Sequence, residues 1–275
     1  MPIEFPVPPP SRQILRSLSR NESELNRSIH RLASGLRLNS SADDPAGAAM
    51  SARMRGLVVG IDRAAQNVGE ASSLLATADG AMESTSDILI RMRELTVAAA
   101  NDTMSTEDRS AVKTELDLLS AELDRIGDQT TFNGKKLLDG TATFTFQIGS
   151  SSGQTTYVAL DGVKASDLDL ETSDLVVSSA AHAATTLGKI DDAMDTLNQA
   201  RSKVGARINR MDYTAAALSV ESQNLSASVS RIRDADLAAE STRMLRAQLM
   251  QESARAMLAQ VAGRNEGVLR MIRGS

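Results

Sequence analysis

Two long stretches of the chain place small or apolar residues at spacings that alternate between four and three. The first runs Leu57, Ile61, Ala64, Val68, Ala71, Leu75, Ala78, Met82, Thr85, Leu89, Met92, Thr96 and Ala99. The second runs Ala183, Leu187, Ile190, Met194, Leu197, Arg201, Val204, Ile208, Met211, Ala215, Leu218, Ser222, Leu225, Val229 and Ile232. A mean step of 3.5 keeps one stripe facing a partner along a supercoiled helix. The pattern therefore predicts a mainly α chain, a long antiparallel coiled-coil-like rod. The first seam alone spans about 65 Å at 1.5 Å per residue. A shorter helix carries Val112, Leu116, Leu119, Leu123 and Ile126 at the same spacing. Near the start, Ile14, Leu18, Leu25, Ile29 and Leu32 form a narrow stripe among Ser, Arg and Asn. So thin a stripe predicts a helix that folds only against a partner.

Local signals set the boundaries. Pro8-Pro9-Pro10 predicts an extended polyproline start over Met1–Pro10. Ser34-Gly35 is a helix stop. Asp44-Pro45 reads as an N-cap followed by proline at the first helical position. The long helix then runs to about Ala100, and Ser105 with Asp108 resembles a capping box. Between Thr130 and Val163 the period changes to two: Phe144, Phe146 and Ile148, then Thr156, Val158 and Leu160, across a Ser/Gly loop. That is a small β-hairpin near 142–160, which needs the helices as support. The hairpin lets the second seam return antiparallel beside the first. A last helix is expected from roughly Ala235 to Val261 or beyond.

Composition agrees with a rod. All six prolines lie at or before Pro45, which leaves the rest free for long helices. There are four Phe, two Tyr and no Trp, too few large rings for an ordinary core of this size. No Cys is present, which excludes disulfides and thiolate chemistry. The net charge of −5 argues against a nucleic-acid binder. No apolar run is long enough to predict membrane insertion, and the first residues do not read as a cleaved secretory signal. Both ends are Arg-rich while the middle is acidic, so the ends are expected to pair as helices of one small bundle.

Candidate chemistry is sparse. His30 and His182 lie far apart, without neighbouring ligand types, so no metal or cofactor is expected. Asp43-Asp44 could form an acid–base pair, but the following Pro45 makes a helix cap the better explanation. The single glycines form no phosphate loop, and no serine has a base partner. Arg201 interrupts the second seam. It either snorkels to the surface or sets register by pairing with an acid on the facing helix. No catalytic constellation emerges, and no enzyme is expected.

Four segments carry a family resemblance. Arg31-Leu-Ala-Ser-Gly-Leu-Arg-Leu-Asn-Ser-Ser-Ala-Asp-Asp-Pro-Ala-Gly47 resembles the N-terminal hallmark of bacterial flagellins. Arg93-Glu-Leu-Thr-Val-Ala-Ala-Ala-Asn101 and Thr131-Phe-Asn-Gly-Lys-Lys-Leu-Leu-Asp-Gly140 resemble two further flagellin segments. Ser230-Arg-Ile-Arg-Asp-Ala-Asp-Leu-Ala-Ala-Glu240, with Ala256-Met-Leu-Ala-Gln260, resembles the C-terminal block. The resemblance spans most of the chain from about residue 11. The Pro-rich start and the segment from Gly263 to Ser275 depart from the family pattern.

The resemblance implies a structural subunit that self-polymerises into the flagellar filament for swimming motility. It implies a discontinuous inner-tube domain, 1–42 with 236–275, and a rod domain, 43–235. The large variable outer domains would be missing, leaving a short two-domain form. Self-assembly would run through the terminal helices, with Ile14, Leu18, Leu25, Ile29 and Leu32 on one and Met244, Leu258 and Val261 on the other. The implied partners are copies of itself, the flagellar type III export apparatus and its chaperone, and the filament cap and junction proteins. The implied place is extracellular, in the secreted flagellum. A host Toll-like receptor would read positions matching Arg91, Leu95 and Glu115. The alternatives are a hook–filament junction protein and a soluble coiled-coil adaptor or secretion chaperone.

Overall fold

The computed structural model describes residues 9–273. Its chain folds into two compact units. One combines residues up to Gly56 with those from Asn224 onward, and the other is Leu57–Gln223.

In the first unit, helix α1 is Pro9–Ser34 and helix α5 is Leu237–Arg273. Pro9 and Pro10 form the first helical turn instead of an extended lead-in, because proline needs no N–H there. The rest of the polyproline expectation, residues 1–8, lies outside the described residues. Gly35 stops α1 with φ +70, the left-handed value that glycine adopts freely. The connector after it is pinned to residues 233–235, just before α5. Leu36 bridges Asp234, the Arg37 amide donates to the Arg233 carbonyl at 2.7 Å, and the Ala235 amide donates to the Gly35 carbonyl at 2.9 Å.

Helix α2, Pro45–Ala99, is uninterrupted over 55 residues. Asp44 caps it as expected, its Oδ1 accepting from the amides of Ala46 (3.1 Å) and Gly47 (3.0 Å). Gly47 is needed for this closeness: a Cβ there would meet the Asp44 carboxylate at 2.4 Å and Leu38 at 3.1 Å.

The second unit holds α2 from Leu57, helix α3 (Thr106–Gln129), strands β1 to β4, and helix α4 (Ala180–Arg233) to Gln223. The α3 capping box is complete: Ser105 Oγ accepts from the Asp108 amide, and the Asp108 carboxylate accepts from the Ser105 amide. Helices α2 and α4 run antiparallel, since Arg93 meets Asp191, Arg201 meets Asp79 and Ser222 meets Asp62. From Ile61 to Ala99 every first-seam residue is buried; only Leu57 is half-buried. In the second seam Ala183, Ile190, Leu197, Val204, Met211 and Leu218 are buried as expected, while the alternate positions differ. Thr186, Ala193 and Ala200 are buried, while Leu187, Met194 and Arg201, one position later, are half-buried, as are Ile208 and Ala215. The buried stripe of α4 thus alternates large residues, Ile190, Leu197, Val204 and Met211, with the small Thr186, Ala193 and Ala200. Likewise on α3, Ser120 and Gly127 are buried while Leu119 and Ile126 are only half-buried.

The β region contains two antiparallel pairs. β1 (Thr131–Phe132) and β2 (Lys135–Lys136) turn through Asn133-Gly134, at φ 50 and 75, a type I′ hairpin turn. β3 (Thr143–Gln147) pairs with β4 (Thr155–Ala159) in the register Phe144 to Val158 and Phe146 to Thr156. Thr156, Val158 and Leu160 face inward and are buried.

Helix α4 does not follow the hairpin directly. Residues 160–178 form an irregular strap that buries Leu160, Val163, Ala165, Leu168, Leu170, Leu175 and Val177. Three of its backbone groups are bonded by helix side chains. Ser120 Oγ donates to the Leu170 carbonyl (2.8 Å), Thr186 Oγ1 to the Val176 carbonyl (2.7 Å), and Asp124 accepts from the Ala165 amide (2.9 Å). The buried hydroxyls on α3 and α4 are therefore docking points for the strap.

Candidate assembly and recognition surfaces

Helices α1 and α5 pack antiparallel. Glu22 meets Gln251 toward one end, and Ser28 and Arg31 meet Glu240 toward the other. The covered stripe of α1 is Ser11, Ile14, Leu18, Asn21, Leu25, Ser28 and Leu32, spaced three and four. That of α5 is Glu240, Met244, Ala247, Gln251, Ala254, Leu258 and Val261. The terminal pair therefore repeats the period of the long helices with smaller and more polar residues. Of the eight expected assembly positions, seven lie on this half-buried seam: Ile14, Leu18, Leu25, Leu32, Met244, Leu258 and Val261. Ile29 does not. It is 44% exposed, because a step of seven from Leu25 to Leu32 passes through Ser28, and Ile29 falls one residue outside it.

Glu240 is the electrostatic centre of the pair. Only 4% of its side chain is exposed. Its Oε1 accepts from Arg31 Nη1 (3.0 Å) and Arg243 Nη1 (2.8 Å), and its Oε2 accepts from Ser28 Oγ (3.1 Å). Burial pushes this carboxyl up. Hydrogen bonds from Arg31 and Ser28, with the charges of Arg243 and Arg31, outweigh burial and hold it below the ordinary Glu range. Sequence reading missed this cluster, although Arg31 and Glu240 both fall inside segments that carry the family resemblance. Nothing local signals a pair 209 positions apart.

The α1–α5 seam leaves a second apolar face uncovered. Leu245 and Leu249, one turn apart on α5 and opposite the seam, are 55% and 65% exposed, while Leu237, Met250 and Met257 are exposed in other directions around the helix. Exposed apolar groups gathered on one helix mark a protein-binding surface.

The expected receptor positions lie in the second unit. Arg91 on α2 donates through Nε and Nη2 to Glu115 on α3 (3.1 and 2.8 Å), and through Nη1 to Glu94. Arg91 and Glu115 thus share one exposed surface. Leu95, one turn along α2, is 9% exposed.

The remaining candidates have structural partners. Arg201 does meet an acid on the facing helix, Asp79 at 3.3 Å, while both side chains stay partly exposed. Asp43 closes the turn before α2 by accepting from the Ser40 and Asn39 amides, and the Ser40 N–H holds its carboxyl below the usual range. His182 Nδ1 contacts Ser178 Oγ at 2.8 Å. Among the described residues no helix is long and apolar enough to cross a membrane.

Comparison with known proteins matches most of the chain to a family. The model of the bacterial flagellin N-terminal helical region matches residues 10–143, and that of the bacterial flagellin C-terminal helical region matches 187–272. A flagellin of Halalkalibacterium halodurans is 35% identical over 81% of this chain and 82% of its own length. A flagellin of Bacillus subtilis is 35% identical over 79% of this chain and 83% of its own. A solved Bacillus cereus flagellin is 33% identical, with a TM-score of 0.49 over 56% of this chain and 88% of that one. With helical regions matched at both ends and relatives aligned over most of their length, the chain belongs to the bacterial flagellin family.

Proposed function

We infer that the chain is a structural subunit that polymerises with copies of itself into a bacterial flagellar filament used for swimming. Family membership supports this reading. The observation that carries it is the uncovered apolar face of α5, beside a terminal pair whose own seam is only half-buried. Such a pair gains most by packing against another subunit. Head-to-tail contacts between unlike faces generate a helical polymer when the rotation between subunits does not close a ring. In this reading the segments 1–42 and 236–275 line the inner tube and 43–235 surrounds them, with no catalytic step. The export apparatus and its chaperone, the filament cap and the junction proteins would be its other partners, with the polymer extracellular. Removing 1–34 takes away the α1 half of the seam. That variant should give no filaments by electron microscopy while the full chain does; filaments from the shortened chain would overturn the reading.

The surface formed by Arg91 and Glu115, with Leu95 one turn along α2, is our candidate for contact with a host Toll-like receptor. The ion pair presents a fixed charged patch across two helices. Soluble monomer should activate receptor-bearing cells, and Arg91→Ala with Glu115→Ala should lose most of that response. An unchanged response would remove these residues from the contact.

A further inference from the structure

We propose that the groove between α1 and α5 is an oxyanion-binding site, taking a carboxylate or phosphate group on the guanidiniums of Arg27, Arg31, Arg243 and Arg246. The groove has a volume of about 370 Å³, and these four arginines share its wall with only two acids, Glu24 and Glu240. Glu240 is already committed to Arg31, Arg243 and Ser28. Arg31 Nε is buried without a hydrogen-bond partner. Among the described residues, Arg27 and Arg246 make no ion pair. The wall thus carries more guanidinium than carboxylate, with donors left over.

The site is also prepared. The buried Glu240 carboxylate fixes Arg31 and Arg243 before any ligand arrives, which lowers the ordering cost of binding. Ala247 and Met250 supply an apolar patch beside them, where a charge-assisted hydrogen bond is worth more than in open water. Guanidinium forks match the paired oxygens of carboxylates and phosphates. Two sources can supply that group: an acidic side chain of a second copy of the chain, or a free phosphate compound.

Titration of full-length monomer with inorganic phosphate, followed by amide NMR, tests the site. We expect saturable shifts confined to α1 near Arg27 and α5 near Arg246. Arg27→Gln with Arg246→Gln should bind at least about tenfold more weakly, with helicity by circular dichroism unchanged. The matching Lys variant, which keeps charge but loses the fork, should fall between. Absence of saturation, or equal binding by the Gln variant, overturns the proposal. A second arm separates the sources. If a second copy supplies the carboxylate, seeded elongation slows in the Gln variant and low-millimolar phosphate competes with it in the parent. If a free anion is the ligand, elongation is indifferent to both. This arm alone rests on the assembly reading. Failure of the parent to elongate would sink that reading, and the phosphate titration would still decide whether the groove binds an oxyanion.

Discussion

The α2–α4 pair in the second unit and the α1–α5 pair in the first share one period and differ in what they place on it. Along α2 the stripe alternates small residues with Ile61, Val68, Leu75, Met82, Leu89 and Met92, each of these large ones at most 1% exposed. Along α1 and α5 the same positions hold Ser11, Asn21, Ser28, Glu240, Ala247 and Gln251, and even the large apolar members stay half-buried. Period decides that helices pair; residue size and polarity decide how firmly. A seam whose large apolar side chains are fully buried holds one unit together by itself. A seam of small and polar ones, fixed by a buried carboxylate and flanked by uncovered leucines, leaves much of its stabilisation to come from elsewhere.

The largest effect should follow from cutting the strong seam. Leu89→Ala removes a fully buried side chain and should cost about 2–5 kcal/mol, read as a lower midpoint of cooperative unfolding. Leu18→Ala, on the half-buried α1 seam, should leave that midpoint in place and reduce only the helicity of the terminal pair. If both changes lower the main transition equally, the contrast between the pairs is lost.

Glu240→Gln comes next. It leaves Arg31 and Arg243 without their carboxylate and should loosen α1–α5 by about 1–3 kcal/mol. The pH dependence has a definite sign. Because the folded carboxyl is held below its ordinary value, its contribution is fully present above the ordinary Glu range. It is lost as pH falls through the lowered value. Acid titration of terminal-pair helicity should therefore lose part of its pH dependence in Glu240→Gln.

In the second unit, Ser120→Ala leaves the buried Leu170 carbonyl without its donor. A cost of about 1–2 kcal/mol is expected, with hydrogen exchange accelerated in residues 160–178 rather than along α2. The smallest effect belongs to the Arg201–Asp79 pair. Both side chains are about a third exposed, so Asp79→Asn should change stability by less than about 1 kcal/mol.

How far the sequence reached follows from the same physics. A 3.5 period repeated over forty residues is hard to mistake, and the Asp44-Pro45 and Ser105–Asp108 signals set helix starts that the structure reproduces. The depth of individual positions was less legible. Thr186, Ala193 and Ala200 lie deeper than Leu187, Met194 and Arg201, because close helix approach favours the smaller neighbour. The strap at 160–178 carries neither helical nor strand period, so its buried residues gave no signal. Glu240 was hidden for another reason: its partners come from the far end of the chain, and only the fold brings them together.

The central claim is that the terminal pair is the weak, completable part of the subunit and the long seam the self-sufficient part. Hydrogen exchange on monomer and filament, resolved by residue, tests it most directly. In monomer, amides of α2 and α4 between Leu57 and Gln223 should exchange only through global unfolding. Those of α1, and of α5 up to Val261, should exchange through lower-energy opening and become as protected as the rest in the filament. Equal protection of both pairs in monomer, or no gain by α1 and α5 on polymerisation, would contradict the claim.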